Sequence, residues 1–272
     1  MMLDAHPELA IPPETHFVPE LIERHRAGAG AEDLARLIIE SRTWSDFGLS
    51  QKELLARIEG LERADAAGAL RAFYELYAAK QGKSRWGDKT PIYVKRMRLI
   101  GGVLDEARFV HLIRDGRDVA LSRQRRGMGA AKSIADVAER WRRRIELARK
   151  QSRRLRGRYL ELRYEDLVAD PEPALRGVCE LCELAFDRAM LAHHEGAAER
   201  LGELGDLPAD GDRKPLSGKE RLAAHALAAR PASGERTGVW RSEMSDADIA
   251  AFEAVAGGLL AELGYELASR RA

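Results

Sequence analysis

The residues of this chain best suited to chemistry lie in one run, Phe109-Val110-His111-Leu112-Ile113-Arg114-Asp115-Gly116-Arg117-Asp118-Val119-Ala120-Leu121-Ser122. Its first five residues are short and largely apolar, as expected of a buried parallel strand, and a polar turn and helix follow. Ligands of open α/β sheets sit beyond the carboxyl ends of strands, which is where Arg114 falls. A guanidinium there can grip a phosphate bidentately, and the Ser122 hydroxyl, about two turns into the helix, can add a donor. Each charge-assisted bond of this kind contributes about 1.5 to 3 kcal/mol. On these residues alone a helix start carrying surface Arg and Asp pairs is an equal reading.

Three other groups invite chemistry. Cys179 and Cys182 form a C-x-x-C, but Leu175, Val178, Cys179 and Cys182 share one helical stripe and no second cysteine pair completes a zinc site, so they read as small buried hydrophobes. His193-His194-Glu195 resembles a metal cluster, yet neighbours on a helix point about 100° apart and no third ligand is suitably spaced, so no metal is assigned. The basic run from Arg140 to Arg158 suggests nucleic-acid binding. A net charge of +1 and the absence of interleaved exposed aromatics favour a solvated helix face, and no nucleic-acid partner is expected.

The elements that must position these residues read as follows. The 272 residues are 45% hydrophobic and 33% charged, which excludes disordered, collagen-like and membrane-spanning classes but names no partner. Met1 to Ala10 lacks the basic start and apolar run of a secretory signal, so the chain as given reads as cytoplasmic. Helical spacing occurs near Val18 to Arg26 and Ala31 to Glu40. Ser50 with Glu53 makes a capping box before Gln51 to Glu59, and a further helix is expected from about Arg63 to Lys80. An irregular stretch, Trp86 to Pro91, comes next. Tyr159 to Arg163 is a second strand, and between it and Phe109–Ile113 Ser133 caps a long helix burying Val137, Trp141, Ile145 and Ala148. Strand, helix and strand make a βαβ-type unit. The pattern after Pro171 is helical through about Ala198, and Gly202 to Gly218 is a loop expected to be mobile or to cover a ligand. Ser245 and Asp248 open a last amphipathic helix using Ile249, Phe252, Val255, Leu259 and Leu263. Neither repeats nor a domain linker is visible, which predicts one domain over residues 1–272.

The sequence resembles the sulfotransferases that use 3′-phosphoadenosine 5′-phosphosulfate, whose 3′-phosphate motif places an Arg at a strand end and a Ser eight positions later, as Arg114 and Ser122 stand here. The likeness continues, in family order, through Leu3-Asp4-Ala5-His6-Pro7-Glu8, Glu14-Thr15, Gly87-Asp88-Lys89-Thr90-Pro91, Arg163-Tyr164-Glu165-Asp166-Leu167 and Thr237-Gly238-Val239-Trp240. It implies an α/β fold of the P-loop NTPase-like kind, a central parallel sheet with helices on both faces. It also implies a donor, 3′-phosphoadenosine 5′-phosphosulfate, and a hydroxyl-bearing acceptor such as a small molecule, sugar or peptide; the composition and ligand spacing read above add neither a membrane partner nor a metal. The Glu14-Thr15 pair resembles the tyrosylprotein branch, in which the glutamate is the general base. An acceptor hydroxyl must lose its proton as it attacks sulfur, and a positioned carboxylate contributes roughly 10² to 10⁴ in rate. Lys89 matches the lysine that stabilises charge on the departing bridging oxygen, while the histidine that cytosolic members carry two residues later is replaced by Pro91. The resemblance further assigns Arg126 and Tyr164 to the nucleotide, and Arg236, Thr237 and Gly238 to a C-terminal loop over the 3′-phosphate, with Arg230 near it. Trp240 reads as a core anchor.

The departure lies at the start. Relatives have a strand, a Pro-Arg-Ser-Gly-Thr-Thr-like phosphate loop and a helix ending like Met2-Leu3-Asp4-Ala5-His6-Pro7, and no such loop occurs in this chain. A single sulfotransferase domain lacking its first strand and phosphate loop is therefore expected, with Met1 an internal methionine and the chain as given inactive or nearly so. The competing reading is a non-catalytic interaction module on the same fold. Retention of Glu14, Lys89, Arg114 and Ser122 argues for an enzyme, and a kinase is disfavoured because its phosphate-loop lysine and magnesium ligands cannot be identified. His16 stands where the tyrosylprotein branch has Arg, so the acceptor is left open.

Overall fold

The computed structural model describes residues 1–125, 133–211 and 214–268. They divide into two compact units, Met1–Ala107 with Ala185–Pro231, and Arg108–Leu184 with Ala232–Ala272.

In the first unit, β1 (Leu9–Ala10) pairs in parallel with β2 (Arg85–Trp86), Leu9 opposite Arg85 and Ala10 opposite Trp86. Between them run α1 (Val18–Arg26), α2 (Ala31–Ile39), α3 (Trp44–Phe47), α4 (Gln51–Glu59) and α5 (Ala66–Lys80). Two caps fix boundaries: Ser50 accepts the Glu53 N–H at 3.3 Å, and Asp65 accepts that of Gly68 at 2.8 Å, so α5 starts at Ala66 rather than Arg63. The helices close on an aromatic cluster in which Phe17 and Phe47 meet Phe73 edge-on, with centroids 5.1 and 4.9 Å apart. Pro91–Lys95 is a 3₁₀ turn, and α6 (Met97–Gly101) follows.

The second unit opens with β3 (Phe109–Ile113), then α7 (Gly116–Arg125), α8 (Ile134–Ser152) and β4 (Tyr159–Arg163). β3 and β4 are parallel, with Phe109 opposite Tyr159 and Ile113 opposite Arg163, which is the βαβ unit the sequence predicts. The expected stripe of α8 is buried at Trp141, Ile145 and Ala148 and half-buried at Val137. α9 (Tyr164–Ala169) and α10 (Pro171–Cys182) continue the chain. In α10 Leu175, Val178 and Cys179 are buried and Cys182 is half-buried.

The helix expected to run to Ala198 stops at Cys182. Glu183 takes a left-handed conformation with φ 54°, and the Leu184 N–H returns to Cys179 O at 2.9 Å, which closes the helix end. Back in the first unit come a 3₁₀ turn at Arg188–Met190, α11 (Ala197–Leu201) and α12 (Gly218–His225). In the described part of the intervening loop Leu207 bridges Leu216, and Arg42 donates to Pro208 O and Lys214 O at 2.7 and 2.6 Å. The second unit ends with α13 (Trp240–Glu243) and α14 (Asp246–Glu262), which buries Ile249, Phe252 and Leu259 beside Trp141 and Ile113. No described helix is long and apolar enough to cross a membrane.

Candidate functional site

In the second unit Arg114 follows the last residue of β3, and its carbonyl accepts the Trp141 Nε1–H at 3.0 Å. Its guanidinium lies over the Tyr164 ring, 5.1 Å from the centroid, and Nη2 donates to Arg236 O. Arg114 Nε is buried with no hydrogen-bond partner among the described residues. A cleft of about 140 Å³ opens here, lined by Arg114, Asp118, Ser122, Arg125 and Arg236, with Leu121 and Val239 as its apolar walls. Arg125 is paired with Glu243. Three guanidiniums and a hydroxyl around one acid make a cleft suited to an anion.

The acid serves two sides, and its Oδ2 lies 4.0 Å from Arg114 Nη2. Asp118 is buried, and its carboxylate accepts the Gly238 N–H at 2.7 Å and the Trp240 N–H at 3.0 Å, while burial raises its pKa. It thus pins the segment Arg236–Val239 beside α7. Gly238 sits at φ 68°, a left-handed value that glycine adopts without strain, and the turn it makes leaves Arg236 on the cleft. Thr237 and Gly238 themselves line a second cleft of about 320 Å³ with Arg163, Glu165 and Tyr265. The structure therefore brings Arg114, Ser122, Tyr164 and Arg236 together and turns Thr237 and Gly238 to the other side of the same segment. Arg126 lies outside the described residues. Trp240 is an anchor, as expected: it is 3% exposed and its ring covers the Arg117 guanidinium at 3.5 Å.

In the first unit Glu14 and Lys89 each follow a strand of the β1–β2 pair, and the Lys89 ammonium donates to Glu14 Oε1. The other carboxylate oxygen is 3.3 Å from His16 Nε2. Burial pushes the Glu14 carboxyl up, but the hydrogen bond from His16 and the charge of Lys89 outweigh it and hold the group down to about 2. Between them lies a polar core. Thr15, fully buried, donates to Asp88 Oδ2 at 2.7 Å, and the Tyr74 hydroxyl donates to the same oxygen at 2.8 Å. Thr15 Oγ1 is also 2.8 Å from the Tyr93 hydroxyl.

The model of the sulfotransferase family matches residues 1–188. The chain belongs to the sulfotransferase family. It is 26% identical over 271 residues to protein-tyrosine sulfotransferase 1 of Danio rerio and 25% identical over 272 residues to protein-tyrosine sulfotransferase 2 of Gallus gallus. The match covers 97% of this chain in both cases, and 67% and 65% of those proteins; it spans 48% of the Drosophila melanogaster protein-tyrosine sulfotransferase, at 24% identity. Among solved structures, the sulfotransferase domain from the curacin biosynthetic pathway superposes with a TM-score of 0.59 at 19% identity, covering 98% of this chain and 92% of that one. The sulfotransferase domain of the Synechococcus PCC 7002 olefin synthase gives 0.56 at 24% identity, covering 98% and 89%. This sulfotransferase accordingly has the P-loop-like α/β fold that its sequence implies, with parallel strands flanked by helices.

Sequence reasoning missed three residues that shape the two groups. Arg125 lines the cleft where Arg126 was expected to matter; neither residue of an Arg-Arg pair is marked by periodicity. Asp118 read as part of a surface charge cluster, and only tertiary burial reveals its role. Asp88 drew no role of its own from the sequence, yet its carboxylate is turned inward to Thr15 and Tyr74.

Proposed function

We propose that this sulfotransferase transfers a sulfuryl group from 3′-phosphoadenosine 5′-phosphosulfate to an acceptor hydroxyl. The observation that carries the reading is the Arg114 cleft, whose arginines, hydroxyl and unpartnered buried Nε fit a phosphate. Bound there, the donor supplies a sulfuryl group activated by a phosphate leaving group. Arg114, Ser122 and Arg236 hold the 3′-phosphate, and the face of Tyr164 fixes the plane of the Arg114 guanidinium. Glu14 accepts the proton of the acceptor hydroxyl, and Lys89 supplies positive charge to the oxygen on which negative charge grows. A base held down to about 2 is ionised throughout the neutral range, so it is always ready to accept, although its site makes it a weaker base than a free glutamate.

Peptide tyrosine is the first acceptor to test, because the three relatives bear that name. His16 beside Glu14 distinguishes this chain from the tyrosylprotein pattern, so phenols and sugars belong in the same panel. Calorimetry with adenosine 3′,5′-bisphosphate, the product nucleotide, decides the phosphate assignment. Arg114→Ala is expected to weaken binding about 10- to 100-fold, the equivalent of one or two charge-assisted bonds. Unchanged affinity would refute it. Transfer of radiolabel from donor to acceptor tests the reaction, measured on the chain as given, for which little or none is expected, beside a form extended upstream to carry a Pro-Arg-Ser-Gly-Thr-Thr-like phosphate loop.

A further inference from the structure

Glu14 and Lys89 are far apart in sequence but adjacent in space, and the hydrogen bonds around them show what holds them there. β1 and β2 run in parallel, and the Gly87 N–H still pairs with Ala10 O at 2.9 Å as the two chains leave the sheet. Beyond that point no ladder exists. The chains are tied again outside the strand register, by the 2.7 Å bond from Thr15 Oγ1, on the residue immediately after Glu14, to Asp88 Oδ2, on the residue immediately before Lys89.

Every polar atom of Thr15 is engaged. Its N–H donates to Thr90 Oγ1 at 3.0 Å and its carbonyl accepts from Thr43 Oγ1 at 3.3 Å. Its hydroxyl hydrogen is committed to Asp88, so the Tyr93 hydroxyl donates to Thr15 Oγ1 while itself accepting the Val18 N–H at 3.1 Å. Tyr74, stacked on Trp86 of β2 with centroids 4.6 Å apart, donates the second bond to Asp88. Each hydroxyl of this buried network is satisfied, while Asp88 Oδ1 is buried with no hydrogen-bond partner among the described residues. The next residue, His16, is held at φ 60°, a left-handed conformation costly for a side-chain-bearing residue, and it is in this conformation that its ring reaches Glu14.

We infer that Thr15 and Asp88 are positioning residues: their hydrogen bond is a staple that fixes Glu14 against Lys89 and so sets the geometry of the proton-accepting carboxylate. The staple itself stands on the fold; its consequence for turnover rests on the sulfuryl-transfer reading above. A displacement of about 1 Å in such a pair can cost about 100-fold in rate.

Two readouts keep these apart. The first is the Glu14 carboxyl titration, followed by carbon NMR on the ligand-free protein with Glu14→Gln as the assignment control. Lys89 and His16 are the groups that face Glu14, and the Lys89 charge and the His16 hydrogen bond hold it to about 2 in the parent. Thr15→Val, which removes the hydroxyl at constant shape, is expected to move that titration up toward the ordinary glutamate value of about 4.3, as Lys89→Met also does, whereas Thr15→Ser keeps it low. The second readout is transfer. Thr15→Val should lower kcat about 10- to 100-fold with acceptor KM and product-nucleotide affinity within about threefold, and Thr15→Ser should restore most of the rate. Thr15→Ala replaces the valine variant should the latter not fold. A folded valine or alanine variant whose Glu14 still titrates at the parent value overturns the staple. Transfer is read in a form extended upstream to carry the phosphate loop; its absence there overturns the catalytic reading instead, and the titration still decides the staple.

Discussion

Arg114 and Arg117, three residues apart, show how one charged cluster divides between binding and architecture. Arg117 is fully buried, bound to both oxygens of Asp115 at 3.0 and 2.8 Å and to Glu253 at 2.6 Å, whereas Arg114 reaches the cleft. The surface-pair reading of this run therefore fails for Arg117 in an unexpected direction: it is paired, but inside. Asp118 links the two roles. Asp118→Ala leaves the Gly238 and Trp240 N–H groups without acceptors, which should cost about 2 to 4 kcal/mol in urea unfolding and loosen Arg236, weakening product-nucleotide binding at the same time. A variant of parent stability would show that these two bonds are replaced by water. Glu14 makes a prediction of another kind. Its pKa is about 2 when folded against about 4.3 unfolded, so its contribution is fully present above pH 4.3 and lost as pH falls through 2. Lys89 is largely exposed, and solvent screening reduces that contribution to about 1 kcal/mol. Urea unfolding should find Glu14→Gln less stable than the parent by this amount at pH 7 and equal to it near pH 2; a constant difference at both would mean that the loss is one of packing.

Helix α7 begins where three elements converge. A Cβ added at Gly116 would lie 2.4 Å from Phe252 Cζ on α14 and 2.7 Å from Trp141 Cδ2 on α8. Gly116→Ala should therefore destabilise the protein by about 1 to 3 kcal/mol through overpacking, although alanine favours helices, and a neutral result in chemical denaturation would show that Phe252 swings aside. The long helices were legible because their signals are local: Ser133 and Ser245 cap α8 and α14 as their sequences imply, bonding the N–H groups of Asp136 and Asp248 at 3.2 Å. β3 and β4 were legible for the same reason, each being a five-residue run. β1 and β2 were not, since two residues cannot express a period and only their mutual pairing makes them strands. The stop after Cys182 was missed because no glycine marks it; Glu183 carries the left-handed turn, and apolar residues beyond it prolong a helical pattern that the backbone does not follow. The site divides likewise: Arg114 and Ser122 are readable from spacing within one strand and helix, but Asp88, Asp118 and Arg125 acquire their places only from segments distant in sequence.

Across the whole chain 45 basic and 44 acidic residues nearly cancel, and the distribution matters more than the sum. The arginine-rich stretch of α8 is the one place where sequence alone suggests a polyanion surface. There Arg142 bonds Glu139 and Glu146 at 2.6 and 2.9 Å, Arg143 pairs with Glu139, and Arg149 grips Glu161 at 2.8 Å and Glu262 at 2.6 Å. Acids at i±3 and i±4 on the helix, and on β4 and α14 beside it, thus intersperse the positive charge. Counterion release rewards a surface that presents many unneutralised cations to phosphates, and each such contact steepens the dependence of log K on log salt by about 0.9. We therefore expect weak binding of a labelled 20-base-pair duplex, with a Kd above about 10⁻⁵ M at 0.15 M salt and a slope shallower than about −3 between 0.05 and 0.2 M, measured by fluorescence anisotropy. Replacing Glu139 and Glu146 with glutamine should strengthen binding and steepen the slope, because it exposes the guanidiniums these carboxylates now hold. A parent slope steeper than about −5, unchanged by those substitutions, would mean that a basic surface elsewhere on the molecule binds phosphate polymers, and the neutralised-helix account would fall.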